Sequence, residues 1–129
     1  MALTTKQCAT ATERREQLVA IAAKYPEVDI DSYGEQHLAI KVRNKAFAYY
    51  SYDHHGDGKI ALWAKAALPE QKREIADDPQ SFYAPAYLGP RGWVALRLDL
   101  ARVDWKAVER VLRRAYLASA PKKLCALLK

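Results

Sequence analysis

The residue types best equipped for chemistry crowd into one short stretch, where Asp53, His54, His55 and Asp57 stand beside Gly56 and Gly58. Imidazole next to carboxylate is what a divalent metal or a general base requires. Adjacent histidines project in different directions, however, and the two glycines suit a tight polar loop, so a hairpin loop is the simpler reading and no metal is expected. His37 falls on the outward side of a strand with no nucleophile spaced to use it, which makes it a surface or partner-facing residue. Gly56–Lys59 (GDGK) is too short to cradle a phosphate, and the chain has no Walker loop, dinucleotide fingerprint, HExxH, CxxC or GxSxG. Asp77, Asp78 and Asp99 are each explained by a cap or a turn. No catalytic residue and no cofactor are expected.

The two cysteines, Cys8 and Cys125, sit at opposite ends of the chain without a second thiol or histidine at metal-ligand spacing. Free thiols in a reducing compartment are the simpler reading; a disulfide joining the termini is the alternative. No apolar run approaches the length of a membrane span, and Met1 to Lys24 lacks the organisation of a secretory signal. A cytoplasmic protein with no membrane partner is therefore expected.

Charge is more informative. The net charge is +6 at pH 7, and all of it lies beyond residue 101: Arg102, Lys106, Arg110, Arg113, Arg114, Lys122, Lys123 and Lys129 are opposed only by Asp104 and Glu109, while the rest of the chain balances. A localised positive field attracts polyanions such as nucleic acid, although a basic balance also serves solubility.

The elements that must position these residues follow from periodicity. Capping-box spacing at Thr10/Glu13, or Thr4 with Gln7, opens a first helix that ends at Tyr25 before Pro26, with Leu18, Ile21, Ala22 and Tyr25 as its buried stripe. The acidic segment Glu27, Asp29, Asp31, Glu35, with Gly34 inside it, reads as an exposed loop. His37–Arg43 alternates, placing Leu38, Ile40 and Val42 inward. Asn44 and Lys45 then form a two-residue turn, which sets Val42 opposite Phe47, Ile40 opposite Tyr49 and Leu38 opposite Ser51. Lys59–Lys65 is a third strand, Pro69–Ala76 a short helix, and Phe82–Tyr87 an edge strand interrupted by proline. After a turn through Gly89–Gly92, Trp93–Asp99 alternates with Val94, Leu96 and Leu98 inward. Asp104 caps a last helix whose apolar face is Trp105, Val108, Val111, Leu112, Ala115 and Tyr116. Pro121 ends or interrupts it, and the tail is expected to dock. This is a single domain over residues 1–129 of the α+β class: two layers, an antiparallel sheet, and element order α-β-β-β-α-β-β-α.

With that order read, Lys41–Ala48 (KVRNKAFA), Asp78–Tyr87 (DPQSFYAPAY), Gly89–Asp99 (GPRGWVALRLD) and Ala120–Leu124 (APKKL) together resemble the small bacterial MmcQ/YjbR proteins. The likeness runs from about Tyr25 to Leu124, and the long first helix and the Tyr-rich Ala48–Gly58 depart from it. The resemblance implies a helix, three strands, helix, two strands, helix fold and a DNA-binding, double-wing role, and it brings no catalytic residues.

Two constellations favour binding. The outward sheet face collects Lys41, Arg43, Tyr50, Tyr52, Trp63, Lys65, Trp93 and Arg97, a mixture of aromatic rings and cations suited to bases and phosphates. Ala39, Ala46, Ala48, Ala61 and Ala95 share that face, and small residues also let a helix or second subunit pack there. On the last helix, Lys106, Arg110, Arg113 and Arg114 oppose the apolar stripe and can track phosphates, or simply face solvent. Arg43, Lys45 and Arg91 sit at hairpin tips that resemble wings. The expected function is non-catalytic nucleic-acid binding through Lys41, Arg43, Lys45, Trp63, Arg91, Trp93, Arg97, Lys106, Arg110 and Arg113. The alternative is a protein-interaction module, a homodimer included, or a small-ligand module using the outer sheet face and the tail.

Overall fold

The computed structural model describes residues 5–33 and 37–128. Thr4, Gly34, Glu35 and Lys129, with the side chains of Gln7, Cys8 and His55, lie outside the described residues. Helices α1 (Thr5–Ala22), α2 (Leu68–Asp77), α3 (Trp105–Ser119) and α4 (Lys122–Cys125) accompany strands β1 (Val28–Tyr33), β2 (His37–Val42), β3 (Lys45–Tyr52), β4 (Ile60–Ala64), β5 (Phe82–Tyr83) and β6 (Val94–Arg97). The strands form one antiparallel sheet in the order β1-β2-β3-β4-β6-β5. The α+β class and antiparallel sheet expected from periodicity are present, with one strand and one short helix added.

The added strand is β1, in the acidic segment read as a loop. Val28 and Ile30 pack against the core and pair with Val42 and Ile40, while Asp29 and Asp31 alternate to the other face. An edge strand needs only one apolar side, so the acidity of the segment masked an ordinary period-2 pattern.

The turn between β2 and β3 also differs from expectation. Arg43 and Asn44, at φ 50° and 65°, are its two central residues, and Val42 pairs with Lys45. Two consecutive left-handed residues make the type I′ loop that matches strand twist, and asparagine tolerates the second position best after glycine. Lys41 then pairs with Ala46 but Ile40 with Ala48, so Phe47 is an extra residue in a β-bulge. The bulge lets Phe47 and Ala48 both reach the core, each fully buried. It also reverses the phase of the rest of β3. Tyr50 faces the core, where its hydroxyl donates to the Ala11 carbonyl at 3.3 Å, and Tyr52 packs on the same side; Tyr49, expected inward, joins the outer face.

On the inner face α1 and α3 cover the sheet. Leu18 and Ala22 of α1 and Val108, Val111, Leu112, Ala115 and Tyr116 of α3 are buried against β2, β3 and β4. The Asp104 carboxylate caps α3 by accepting from the Lys106 and Ala107 amides at 3.1 and 3.3 Å. Helix α1 stops at Ala22, short of the expected Tyr25, and the chain turns so that Tyr25 packs on Tyr116 with ring centroids 5.0 Å apart. Beyond Pro121 the tail docks through Leu124, which is buried, and Cys125 is a free thiol.

Strand β5 is only two residues long, because the chain leaves the sheet before Pro85 and returns through a single helical turn at Gly89–Arg91. Arg91 thus lies on a long connection and not at the tip of a hairpin. The buried Gln71 amide of α2 holds that connection in place by donating to the Gly89 and Trp93 carbonyls at 2.8 and 2.6 Å.

Candidate nucleic-acid interface

Structure divides the ten expected contact residues among four places. Lys41 is half-buried on the outer face and ion-paired with Asp31 at 3.0 Å. Arg43 and Lys45 lie at the β2–β3 turn, where the Arg43 guanidinium grips Glu27 in a two-pronged pair at 2.6 and 3.1 Å. That pair holds the Glu27 carboxyl below the usual glutamate range and raises the Arg43 pKa, in each case chiefly through the hydrogen bond. Arg97 is tied to Asp99 by a similar pair at 3.0 and 2.8 Å. Arg91 is exposed on its turn.

Trp63 and Trp93 are 6% and 7% exposed. They form a second small core on the outer face with Ala61 and Ala95, against which Tyr49, Tyr83 and Leu88 pack. Two of the alanines expected to let a helix or second subunit pack, Ala61 and Ala95, instead lie with the chain's own β5–β6 connection, and the two indoles offer no open ring to a base. The Trp63 indole N–H donates to the Tyr83 hydroxyl at 3.3 Å, and burial pushes the Tyr83 pKa up to about 12.

The remaining three, Lys106, Arg110 and Arg113, share one side of α3, as their spacing requires. The fold adds to them Lys24 and Tyr25 from the turn that follows α1. Together with Glu109 and Leu128 these residues line a cleft of about 510 Å³ between α1, α3 and the docked tail. Four cations against one lining carboxylate make the cleft electropositive, and Tyr25 adds a ring to its lining. Burial raises the Tyr25 hydroxyl pKa, an effect opposed by the nearby charge of Arg113. Arg110 is anchored from the other side by the buried carboxylate of Glu74, which also accepts from Arg114 at 3.3 Å. Glu74 thereby joins α2 to α3 and fixes the direction of one cation of the cleft.

Lys24 and Tyr25 are the members that sequence reasoning did not assign to a site. Some eighty residues separate them from Lys106, and only the packing of α1 beside α3 brings them there; the one local signal was Pro26, which forces the chain to turn at that point. Among the described residues no group of three or more His, Cys, Asp or Glu side chains is placed to hold a metal. Among them, too, no helix is long and apolar enough to cross a membrane.

Comparison with known proteins places this architecture. The crystal structure of Deinococcus radiodurans protein DR2400, a DUF419 domain, matches with a TM-score of 0.67 at 19% identity, covering 81% of this chain and 76% of that one. At that identity the likeness is one of fold. No curated protein matches the chain significantly. The family model for YjbR, however, matches residues 23–118, from the end of α1 through the whole sheet to the last turn of α3. On that match the chain belongs to the YjbR family.

Proposed function

We propose that this protein is a non-catalytic nucleic-acid-binding module that grips the phosphate backbone of DNA in the cleft between α1 and α3. The observation that carries the reading is the convergence of Lys24, Lys106, Arg110 and Arg113 on one cleft. Three cations on α3 and one on the turn that follows α1 present charge at a fixed spacing, which neutralises phosphates without reading sequence. Lys45 and Arg91, both exposed, extend the contact surface at the turns. Lys41, Arg43, Arg97 and Arg110 are each engaged by a carboxylate, so the net attraction of their neighbourhoods is smaller than a count of cations suggests. The buried Trp63 and Trp93 have no part in it.

The test is fluorescence anisotropy of labelled single- and double-stranded DNA at several salt concentrations. Binding to duplex should weaken steeply with salt, the logarithmic slope falling by about 0.9 for each phosphate neutralised. The double charge reversal Lys106→Glu with Arg113→Glu should reduce affinity at least tenfold and flatten that slope by about two. Tight, salt-dependent binding that survives the folded double variant unchanged would remove the cleft from the reading. Absence of binding to either DNA at low salt would sink it altogether.

A further inference from the structure

The outer face of the sheet carries a second cleft, independent of the cationic one and separated from it by the sheet itself. Its volume is about 790 Å³, within the range of small-ligand sites. Tyr49, His54, Trp63 and Tyr87 supply ring surface to its walls, and Asp31 and Lys41 stand at the β1–β2 side. The rings are mutually braced: His54 meets Trp63 edge-on at 5.0 Å between centroids and Tyr87 edge-on at 6.1 Å. Tyr49 is held from below by Trp93, at 5.6 Å.

Two features point to a ligand. Tyr87 adopts φ 65°, a left-handed conformation that a bulky aromatic residue rarely takes, and it is 76% exposed. Strain of this kind persists where surrounding structure enforces it, and it clusters at ligand clamps. Here it keeps a large ring at the rim of the cleft, where burial gives it nothing. The second feature is the Lys41–Asp31 pair, whose ammonium and carboxylate lie 3.0 Å apart. A cationic donor next to an anionic acceptor leaves the cleft without a net charge preference. It complements a planar ring with an acceptor beside a donor along one edge, as adenine and guanine both present.

We propose that this cleft binds the base of a free purine nucleoside, stacked against Tyr49 and Tyr87 above the wall that the buried Trp63 closes, and met at its edge by Lys41 and Asp31. The site lies across the sheet from Lys24, Lys106 and Arg113, so it does not depend on the phosphate cleft. Adenosine and guanosine should each quench the tryptophan fluorescence saturably, because Trp63 is part of the wall. Titration calorimetry should give one site. Tyr87→Gly relieves the strained backbone and removes the exposed ring, and Asp31→Ala removes the edge acceptor from an exposed position. Each should weaken nucleoside binding tenfold or more while leaving the circular dichroism spectrum intact. Lys106→Glu with Arg113→Glu should leave nucleoside affinity unchanged, which separates failure of this site from failure of the DNA reading. No saturable binding of either nucleoside at millimolar concentration would overturn the proposal. So would binding indifferent to both outer-face variants, or a Tyr87 dependence seen with single-stranded oligonucleotides alone.

Discussion

Tyr83 is the residue whose chemistry the fold alters most. Its hydroxyl is desolvated on the outer face, and this burial outweighs the hydrogen bond accepted from the Trp63 indole, which acts the other way, so its pKa rises from the ordinary 10 to about 12. An acid whose pKa is raised by folding keeps its full contribution to stability below the unfolded value and loses it as pH rises through the folded one. Unfolding free energy should therefore fall by about 2–3 kcal/mol between pH 10 and 12, and Tyr83→Phe should abolish most of that drop in denaturant titrations at the two pH values. The Glu27–Arg43 pair works in the opposite direction. Its carboxyl is depressed, so the contribution is present above the ordinary glutamate range and disappears as pH falls through the lowered value. Both partners are exposed, which makes the energy small. The sensitive readout is the Glu27 carboxyl resonance, which should titrate below the ordinary glutamate range in the parent protein and return to it in Arg43→Gln.

Among the elements, the junction of α2 with the β5–β6 connection is the most exacting. Gly92 has φ 96°, and a Cβ there would lie 2.5 Å from the Leu68 amide nitrogen and 2.7 Å from the Ala67 carbonyl carbon. Backbone atoms cannot swing aside as a side chain can, so Gly92→Ala combines conformational strain with overpacking. A loss of about 3 kcal/mol or more is expected in chemical denaturation, whereas Gly58→Ala, with open space around its Cβ position, should cost about 1 kcal/mol from its left-handed backbone alone. Helices α2 and α3 meet through Glu74, whose side chain is 9% exposed and carries two arginines. Glu74→Ala should cost about 2–3 kcal/mol, since it takes the carboxylate from Arg110 and leaves Arg114 only its longer pair with Glu70, at 3.8 Å. Arg110 is half exposed and can recover some hydration, which keeps the figure below that of a fully buried pair. Glu74→Gln, which preserves an acceptor and the volume, should cost less than half as much.

At the scale of the whole molecule, the two sides of the sheet differ in chemical character. The helix side gathers an excess of positive charge into a cleft between α3 and the end of α1, and the outer side gathers rings around a charge-balanced pair. Raising the salt concentration should accordingly separate the two surfaces: DNA affinity should fall by orders of magnitude between 50 and 200 mM if several phosphates are bound, while nucleoside affinity at the outer cleft should change less than threefold. Competition checks this directly, because saturating adenosine should leave DNA binding intact.

Much of this architecture was legible in local pattern. The alternation of Leu38, Ile40 and Val42, the 3.6-residue recurrence of Val108, Val111, Leu112 and Ala115, and the Asp104 cap depend on neighbours within a turn or a strand, so the sequence by itself determined those elements, their buried sides and the C-terminal location of the positive charge. Lys106, Arg110 and Arg113 were legible as one surface for the same reason. Tertiary structure alone decided what depends on distant partners. β1 became a strand only because β2 offers Val42 and Ile40 to Val28 and Ile30. The Phe47 bulge, which turned Tyr50 inward and Tyr49 outward, was set by how many side chains the core could accept. Alternation puts Trp63 and Trp93 on the outward face and leaves open whether that face is covered, because it distinguishes two sides of a strand without saying what packs on either. The β5–β6 connection covers them, and the side chain that secures it, Gln71, lies eighteen residues from its first acceptor. Lys24 entered the cleft by the same logic: helix packing, a long-range contact with no sequence period, decides which cations become neighbours.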